Sequence, residues 1–379
     1  MAGSSLGKQF GITTWGESHG AGVGVVIDGC PAGLPLCAEE IQAFLDRRKP
    51  GASRYATPRK EEDQVQILSG VFEGKTTGTP IALMVENHNQ HSKDYKEIAS
   101  YYRPGHADYT YDGKYGFRDY RGGGRSSGRE TIGRVAAGAV AAKLLAEIGI
   151  SFYTYTKAIG TVSISKTPEE LLALPTGELK KAIFANPLYM PEVSAEKAAR
   201  AYLDDCIKRQ DSAGGVIEGL ITGLPVGIGN PVFDKLDANL AKAMLSIGAV
   251  KGFEIGDGFL AAAATGQANN DGFAADNRGG VKKNANHAGG VLGGISDGSP
   301  LIFRVAVKPT PSVSALQSTV NKEGENVTVS IHGRHDPVIV PRAVVVVEAM
   351  AALTIVELLL DNLGSRMDYV RQIYGGLRV

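Results

Sequence analysis

The sequence carries one tryptophan, three cysteines and no surplus of charge, with lysine plus arginine and aspartate plus glutamate at 40 each. Each shortage excludes something. There is no global basic field of the kind that holds a nucleic-acid backbone, so DNA and RNA are not expected as partners. Cys30, Cys37 and Cys206 are an odd set without CxxC spacing, which supports neither a disulfide framework nor a zinc site, so reduced packing thiols are expected. The opening residues MAGSSLGKQFG lack a charged start followed by an apolar run, and no stretch is expected to approach the length needed to cross a bilayer. These absences point to a soluble cytoplasmic protein with neither nucleic acid nor membrane as a partner.

Glycine is abundant instead, at 49 of 379 residues, while a 43% hydrophobic content leaves material for a core. Glycine without low complexity implies tight turns and places where backbone approaches a ligand. Runs such as GVGVVIDG and QVQILSGVFEGKTTGTPIALMVEN read as strands joined by glycine-bearing turns, hence antiparallel sheet. AEEIQAFLDRRKPG spaces Ile41, Phe44 and Leu45 for a short amphipathic helix ending at Arg47 and Arg48. Residues 131–148 and 342–363 are apolar or small on nearly every face and predict helices buried between sheets, the first opened by a Ser127/Glu130 capping box and the two closed by Gly149 and Gly364.

A faint repeat aligns Val26–Pro35 with Val216–Pro225 at identical spacing, which suits an α+β domain with pseudo-symmetric halves. No Pro/Ser-rich linker divides the chain, so one domain spanning residues 1–379 is expected, with a peripheral helical insertion at about 167–210.

The densest polar segment is RPGHADYTYDGKYGFRDYRGGGRSSGRE, with Arg103, His106, Arg118, Arg121, Arg125 and Arg129 around the triplet Gly122–Gly124. Glycines expose backbone N–H groups, a helix start offers unpaired donors, and guanidinium forks match phosphate oxygens. The segment therefore predicts an anion site, its arginines gathered where anions sit and the carboxylates elsewhere along the chain. A solvated charge run is the bland alternative, and it does not explain three glycines beside a helix start. His19, within TWGESHG, stands between small residues and could move a proton, although a lone histidine is more often structural. Asp336 in GRHDP, the NHAGGVLGG turn and Lys308–Ser312 read by themselves as ordinary caps and turns. Gly70–Thr76 imitates a nucleotide-binding P-loop but is one residue short and has no helix after it. His88 and His91 read as exposed loop residues without metal-ligand partners, so no metal site is expected.

Taken together, GESHG, RRKPGASRY (47–55), RPGHADYTY, YRGGGRSSGRE, NHAGGVLGG and GRHDP resemble the chorismate synthase family, in order, from about Gly7 to Leu363. The resemblance implies a sandwich of two antiparallel sheets around inner helices, usually a homotetramer. It implies reduced FMN as cofactor and 5-enolpyruvylshikimate 3-phosphate as substrate, losing the C3 phosphate and a C6 hydrogen by anti-1,4 elimination to give chorismate. By motif, the resemblance implies that His106 protonates or stabilises the reduced flavin, that His19 assists the departing phosphate as general acid, and that Ser18 and Asp336 form a proton relay through flavin N5. Arg125, Ser126, Ser127, Gly248, Ala249, Gly293, Lys308, Pro309, Thr310, Pro311, Ser312 and Arg334 would hold flavin. Arg48, Arg54, Arg103 and Arg129, with Arg334, would hold substrate, Arg48 and Arg54 alternatively NADP.

The departures from the family pattern are Gly248, where a polar side chain is usual, and Gly128 in place of an alanine. No Rossmann fingerprint is visible, which favours an outside flavin reductase over NADPH as the electron source. A phosphotransferase using ATP and magnesium, or a non-enzymatic anion-binding oligomer, are the competing readings. Lack of a P-loop and of a paired-carboxylate motif counts against the first. Dispensability of His19, His106 and Asp336 would mark the second.

Overall fold

The computed structural model describes residues 3–49, 51, 54–55, 62–88, 97–276, 280–331 and 336–375. The first half forms β1 (Ser5–Leu6), β2 (Gly11–Gly16), β3 (Gly22–Asp28), α1 (Ala38–Arg48), β4 (Val65–Ile67), the hairpin β5–β6 (Val71–Phe72, Lys75–Thr76), β7 (Ile81–Glu86), α2 (Asp108–Tyr115) and α3 (Thr131–Glu147). The second half begins with β8 (Ser151–Ile159) and β9 (Val162–Ser163), and the helices α4 (Pro168–Leu172), α5 (Glu178–Phe184) and α6 (Val193–Lys208) follow. Next come β10 (Gly215–Thr222), α7 (Leu236–Leu245), β11 (Val250–Ile255), α8 (Gly266–Asn269) and the hairpin β12–β13 (Phe273–Ala275, Val281–Lys283). The chain ends with the hairpin β14–β15 (Val291–Leu292, Ile295–Ser296), β16 (Leu301–Val307), β17 (Gln317–Val320), β18 (Asn326–Val329), α9 (Val340–Asp361) and α10 (Met367–Tyr374).

Two five-stranded antiparallel sheets result, ordered β1-β2-β3-β7-β4 and β11-β16-β10-β8-β9. In each, alternate side chains face inward: Val23, Val25 and Ile27 with Ile81, Leu83 and Val85 in the first, Leu301, Phe303 and Val305 in the second, all buried. Helix α3 covers the first sheet, α9 covers the second, and the two helices pack on each other. This α+β sandwich matches the expected layers. One expectation about its helices fails. The helix at Val340–Gly364 is long and apolar enough to cross a membrane, with a mean hydropathy of 2.3, but 83% of that window is buried inside the protein. Its apolarity is that of an inner layer packed on both sides.

Helix α1 fixes the direction of the other two. Arg342, near the start of α9, donates from Nε to the Arg48 carbonyl at the end of α1 (3.0 Å), while Lys143, near the end of α3, pairs with Glu40 at the start of α1. Thus α3 and α9 run the same way, and both positive helix ends lie at one end of the sandwich.

The two halves are related, but in a register four residues away from the one expected. Thr76 Oγ donates to the Pro31 carbonyl (2.6 Å) and accepts from Leu34 N (3.0 Å). Ser296 Oγ does the same to Pro225 (2.5 Å) and Ile228 N (2.9 Å). Gly29–Leu34 therefore corresponds to Gly223–Ile228, with positive φ at Gly29 and Gly33 matched by Gly223 and Gly227. The false P-loop is the first copy of a hairpin whose second copy is Gly290–Leu301, sharing glycine, valine and proline at matched places. The capping box also forms differently. Ser127 Oγ accepts from Arg129 N (3.3 Å) to cap a short turn before α3, while Glu130 pairs with Arg134 (3.0 Å).

Candidate active site

Loops from both halves converge where α3 and α9 begin. Between β2 and β3, Ser18 Oγ lies 3.2 Å from His19 Nδ1 and donates to the Gly122 carbonyl (3.4 Å). Gly122 has a φ of +67°, and a Cβ there would overlap the His19 imidazole, so only glycine lets the YRGGG loop close on this histidine. Arg125 is directed into the sheet, donating to the Gly16 carbonyl (3.0 Å) and Thr14 Oγ1 (2.6 Å). Ser126 Oγ donates to the Gly123 carbonyl (2.7 Å).

His106 is brought to the Lys308–Ser312 segment. Gly105, at a φ of +70°, lies so close that a Cβ would stand 2.8 Å from Pro311 Cβ, and Lys308 Nζ donates to the Gly105 carbonyl (2.8 Å). His106 Nδ1 is 3.0 Å from the Pro104 carbonyl and Nε2 is 2.9 Å from Ser312 Oγ. A carbonyl can only accept, so Nδ1 carries the hydrogen and Nε2 accepts a hydrogen bond from the Ser312 hydroxyl. Burial, then the neighbouring Arg103 cation, push the imidazole down to about 4, so it is neutral at pH 7. Lys308 N donates to the carbonyl of Ala249 (2.9 Å), whose φ of +72° turns the Gly248–Ala249 backbone toward this end. Pro309 packs against Gly214, and the Thr310 carbonyl accepts from Ser212 (2.7 Å).

The arginines are less available than their clustering implies. Arg103 is paired with Asp108 (2.8 Å), Arg118 with Asp112 (2.5 Å) and Arg121 with Asp119 (2.9 Å), so carboxylates of the same segment answer its cations. That corrects the expectation that the carboxylates lie elsewhere. Arg129 pairs with Asp63 (2.9 Å), and so does Arg48, which is almost wholly buried. Burial would raise the Asp63 carboxyl, yet the two guanidiniums outweigh it and hold it below the usual range. Arg54, more than half exposed, forms a salt bridge with Asp204 of α6 (2.6 Å). Asp336 is salt-bridged to Arg342 (2.5 Å). Gly293, on β14–β15, lies at the Leu301 end of β16, whereas Lys308 follows its other end, roughly 20 Å away. One chain therefore does not bring Gly293 to the other expected flavin contacts. Arg334 lies outside the described residues, as do Gly333 and His335 of GRHDP, Pro50, Ala52 and Ser53 of the first arginine motif, and His91.

Sequence reasoning missed Asp63, Asn87 and Asp204. Asp63 hides in a charged run, Asn87 is one polar residue after a strand, and Asp204 lies in an amphipathic helix. None stands within a recognisable motif.

The chorismate synthase family model matches residues 10–360. The chain belongs to the chorismate synthase family. It is 65% identical over 374 residues to a chorismate synthase of Agathobacter rectalis, covering 99% of each chain. The corresponding protein of Methanocella arvoryzae is 52% identical over 363 residues, covering 96% of this chain and 95% of that one. Among solved structures, a chorismate synthase crystal structure superposes with a TM-score of 0.75 at 32% identity, covering 98% of this chain and 97% of its own. Chorismate synthases thus share the whole sandwich described here, beyond its separate motifs.

Proposed function

We propose that the chain eliminates phosphate from 5-enolpyruvylshikimate 3-phosphate to form chorismate, the last step of the shikimate pathway, with reduced FMN held at the mouths of α3 and α9. Membership of the family carries the lyase activity. The observation that supports this siting is the meeting of His106 with Lys308–Ser312 in front of two parallel helix starts.

The residues there fit a flavin mononucleotide. A Cβ built on Gly128 or Gly248 meets nothing within 4 Å, so both backbones border open space, with Lys308 and the two helix ends as positive partners for a phosphate. When bound, a reduced flavin would supply transient electron density to the elimination, without net redox change.

In this reading His106, neutral and fixed in one tautomer, offers Nε2 as a proton acceptor beside the ring. His19, oriented by Ser18 and Gly122, gives a proton to the departing phosphate. Arg48, Arg103 and Arg129 bind the anionic groups of the substrate, and their carboxylate partners keep the ligand-free site from collapsing under like charge. Arg54 would hold the same substrate groups or NADP. The assembly is a cytoplasmic homotetramer, and its electrons come from a flavin reductase or NADPH.

The test is anaerobic turnover with chemically reduced FMN. Chorismate and phosphate should appear in equal amounts, and phosphate release without flavin would refute the assignment. Replacing dithionite by NADPH then tells whether the chain reduces its own flavin.

A further inference from the structure

We infer that Asn87 is a positioning residue for this reaction, clipping shut the turn that carries Ser18 and His19 and tying it to Arg129. The inference rests on the proposed function for its kinetic meaning and on geometry alone for its structural one. Asn87 follows β7 directly, and its backbone N–H donates to the Ala21 carbonyl (3.0 Å). Its side-chain Nδ2 donates to the Glu17 carbonyl (2.8 Å) and to the Gly20 carbonyl (2.9 Å). These two carbonyls flank Ser18 and His19. On the other side Asn87 Oδ1 accepts from Arg129 Nε (2.6 Å). The orientation of the amide is unambiguous, because two carbonyls can only face NH2 and a guanidinium can only face oxygen.

The amide joins the His19 turn to the arginines of the site. From Arg129 the polar chain continues through Asp63 to Arg48, whose carbonyl accepts from Arg342 (3.0 Å), the partner of Asp336 (2.5 Å). Through Asn87 the His19 turn shares one network with the anion-facing arginines and with the start of α9. A histidine that must meet a leaving phosphate held by arginines needs its distance to them fixed, and a displacement of about 1 Å is enough to slow such a step roughly 10²-fold. Gly20 N also donates to the Glu17 carbonyl (3.2 Å), so the amide and this backbone bond close the same Glu17–Gly20 turn.

The decisive variant is Asn87→Asp in the full chain. It keeps an acceptor for Arg129 and removes both donors to the turn. The variant should fold, lower kcat roughly 10- to 100-fold and leave KM within about threefold. Amide hydrogen exchange across residues 17–22 should quicken roughly tenfold. Asn87→Ala, which also deprives Arg129 of its acceptor, should add a rise in KM. If Asn87→Asp does not fold, Asn87→Ser, with a single donor, carries the same comparison. Wild-type kcat in a folded variant overturns the inference, whatever the exchange shows. Should the wild-type protein make no chorismate at all, the reaction assignment fails, and unchanged exchange at 17–22 in the variant would then overturn the clip independently.

Discussion

Replacing His106 by glutamine should alter how stability depends on pH, by an amount fixed by the surroundings of the imidazole. Burial and then the Arg103 cation lower it from 6.5 to about 4, so the folded protein prefers the neutral ring. Above the unfolded value both states are neutral and the group contributes no slope. Below it the unfolded chain binds a proton that the folded chain refuses, so stability falls as the pH drops from about 6.5 toward about 4. Every tenfold difference in proton affinity between the two states is worth about 1.4 kcal/mol, which puts the full loss at about 3 kcal/mol. Urea unfolding of wild type and His106→Gln between about pH 7 and about pH 4 measures it: the wild type should lose this amount relative to the variant. Equal slopes would refute the reasoning, and so would histidine NMR showing hydrogen on Nε2 in the ligand-free protein. Ligand binding should raise the titration of His106, since an anion placed beside it favours the imidazolium.

Asp63→Ala leaves the guanidiniums of Arg48 and Arg129 buried without their shared carboxylate, so it should cost about 3–5 kcal/mol, read as a lower urea midpoint. Gly138→Ala should destabilise by about 1–3 kcal/mol, because its Cβ would stand 2.5 Å from Ala349 Cα where α3 crosses α9; an unchanged melting temperature would show that the helices can part freely.

The layers were legible because period-two and all-round apolar patterns have direct structural meaning. Val23, Val25 and Ile27 alternate and face inward, and residues of α3 and α9 are apolar on every side because sheet and helix cover both. The repeat was visible but read in the wrong register, since the letters VI-acid-G recur in both halves while their hydrogen bonds do not. Gly29 follows the end of β3, whereas Gly219 sits inside β10. At the site, residue types were legible and their partners were not. A guanidinium in a sequence carries no sign of the carboxylate that will meet it, and the partner of Arg129, Asp63, lies 66 positions away. The network position of Asn87 likewise depends on three chain segments meeting, which no local pattern encodes.

The proposed site lies where the two halves cease to be alike. At one end of the sandwich the halves repeat each other bond for bond, through Thr76 and Ser296. At the other end the connection from β7 to α3 carries His106 and the arginines, while the connection from β16 to α9 carries Lys308–Ser312 and Asp336. These connections do not face each other as equals; they interleave. Tyr102 N donates to the Val320 carbonyl (3.2 Å) and Lys322 N to the Ser100 carbonyl (2.9 Å), pairing one segment along the other. That pairing delivers Ser312 to His106 Nε2 across the pseudo-symmetry boundary. An elimination needs unlike groups on its two faces, an acid near the leaving anion and an acceptor near the departing hydrogen. Two identical loops would supply the same group twice. The scaffold keeps its duplication where it stabilises turns, and the asymmetry is confined to the loops in front of the parallel helix starts. There the positive ends of α3 and α9 add to the field of Lys308 and the arginines, so both halves would attract an anion bound between them, and in the proposed reaction the first half supplies both histidines while the second sets Ser312 against His106.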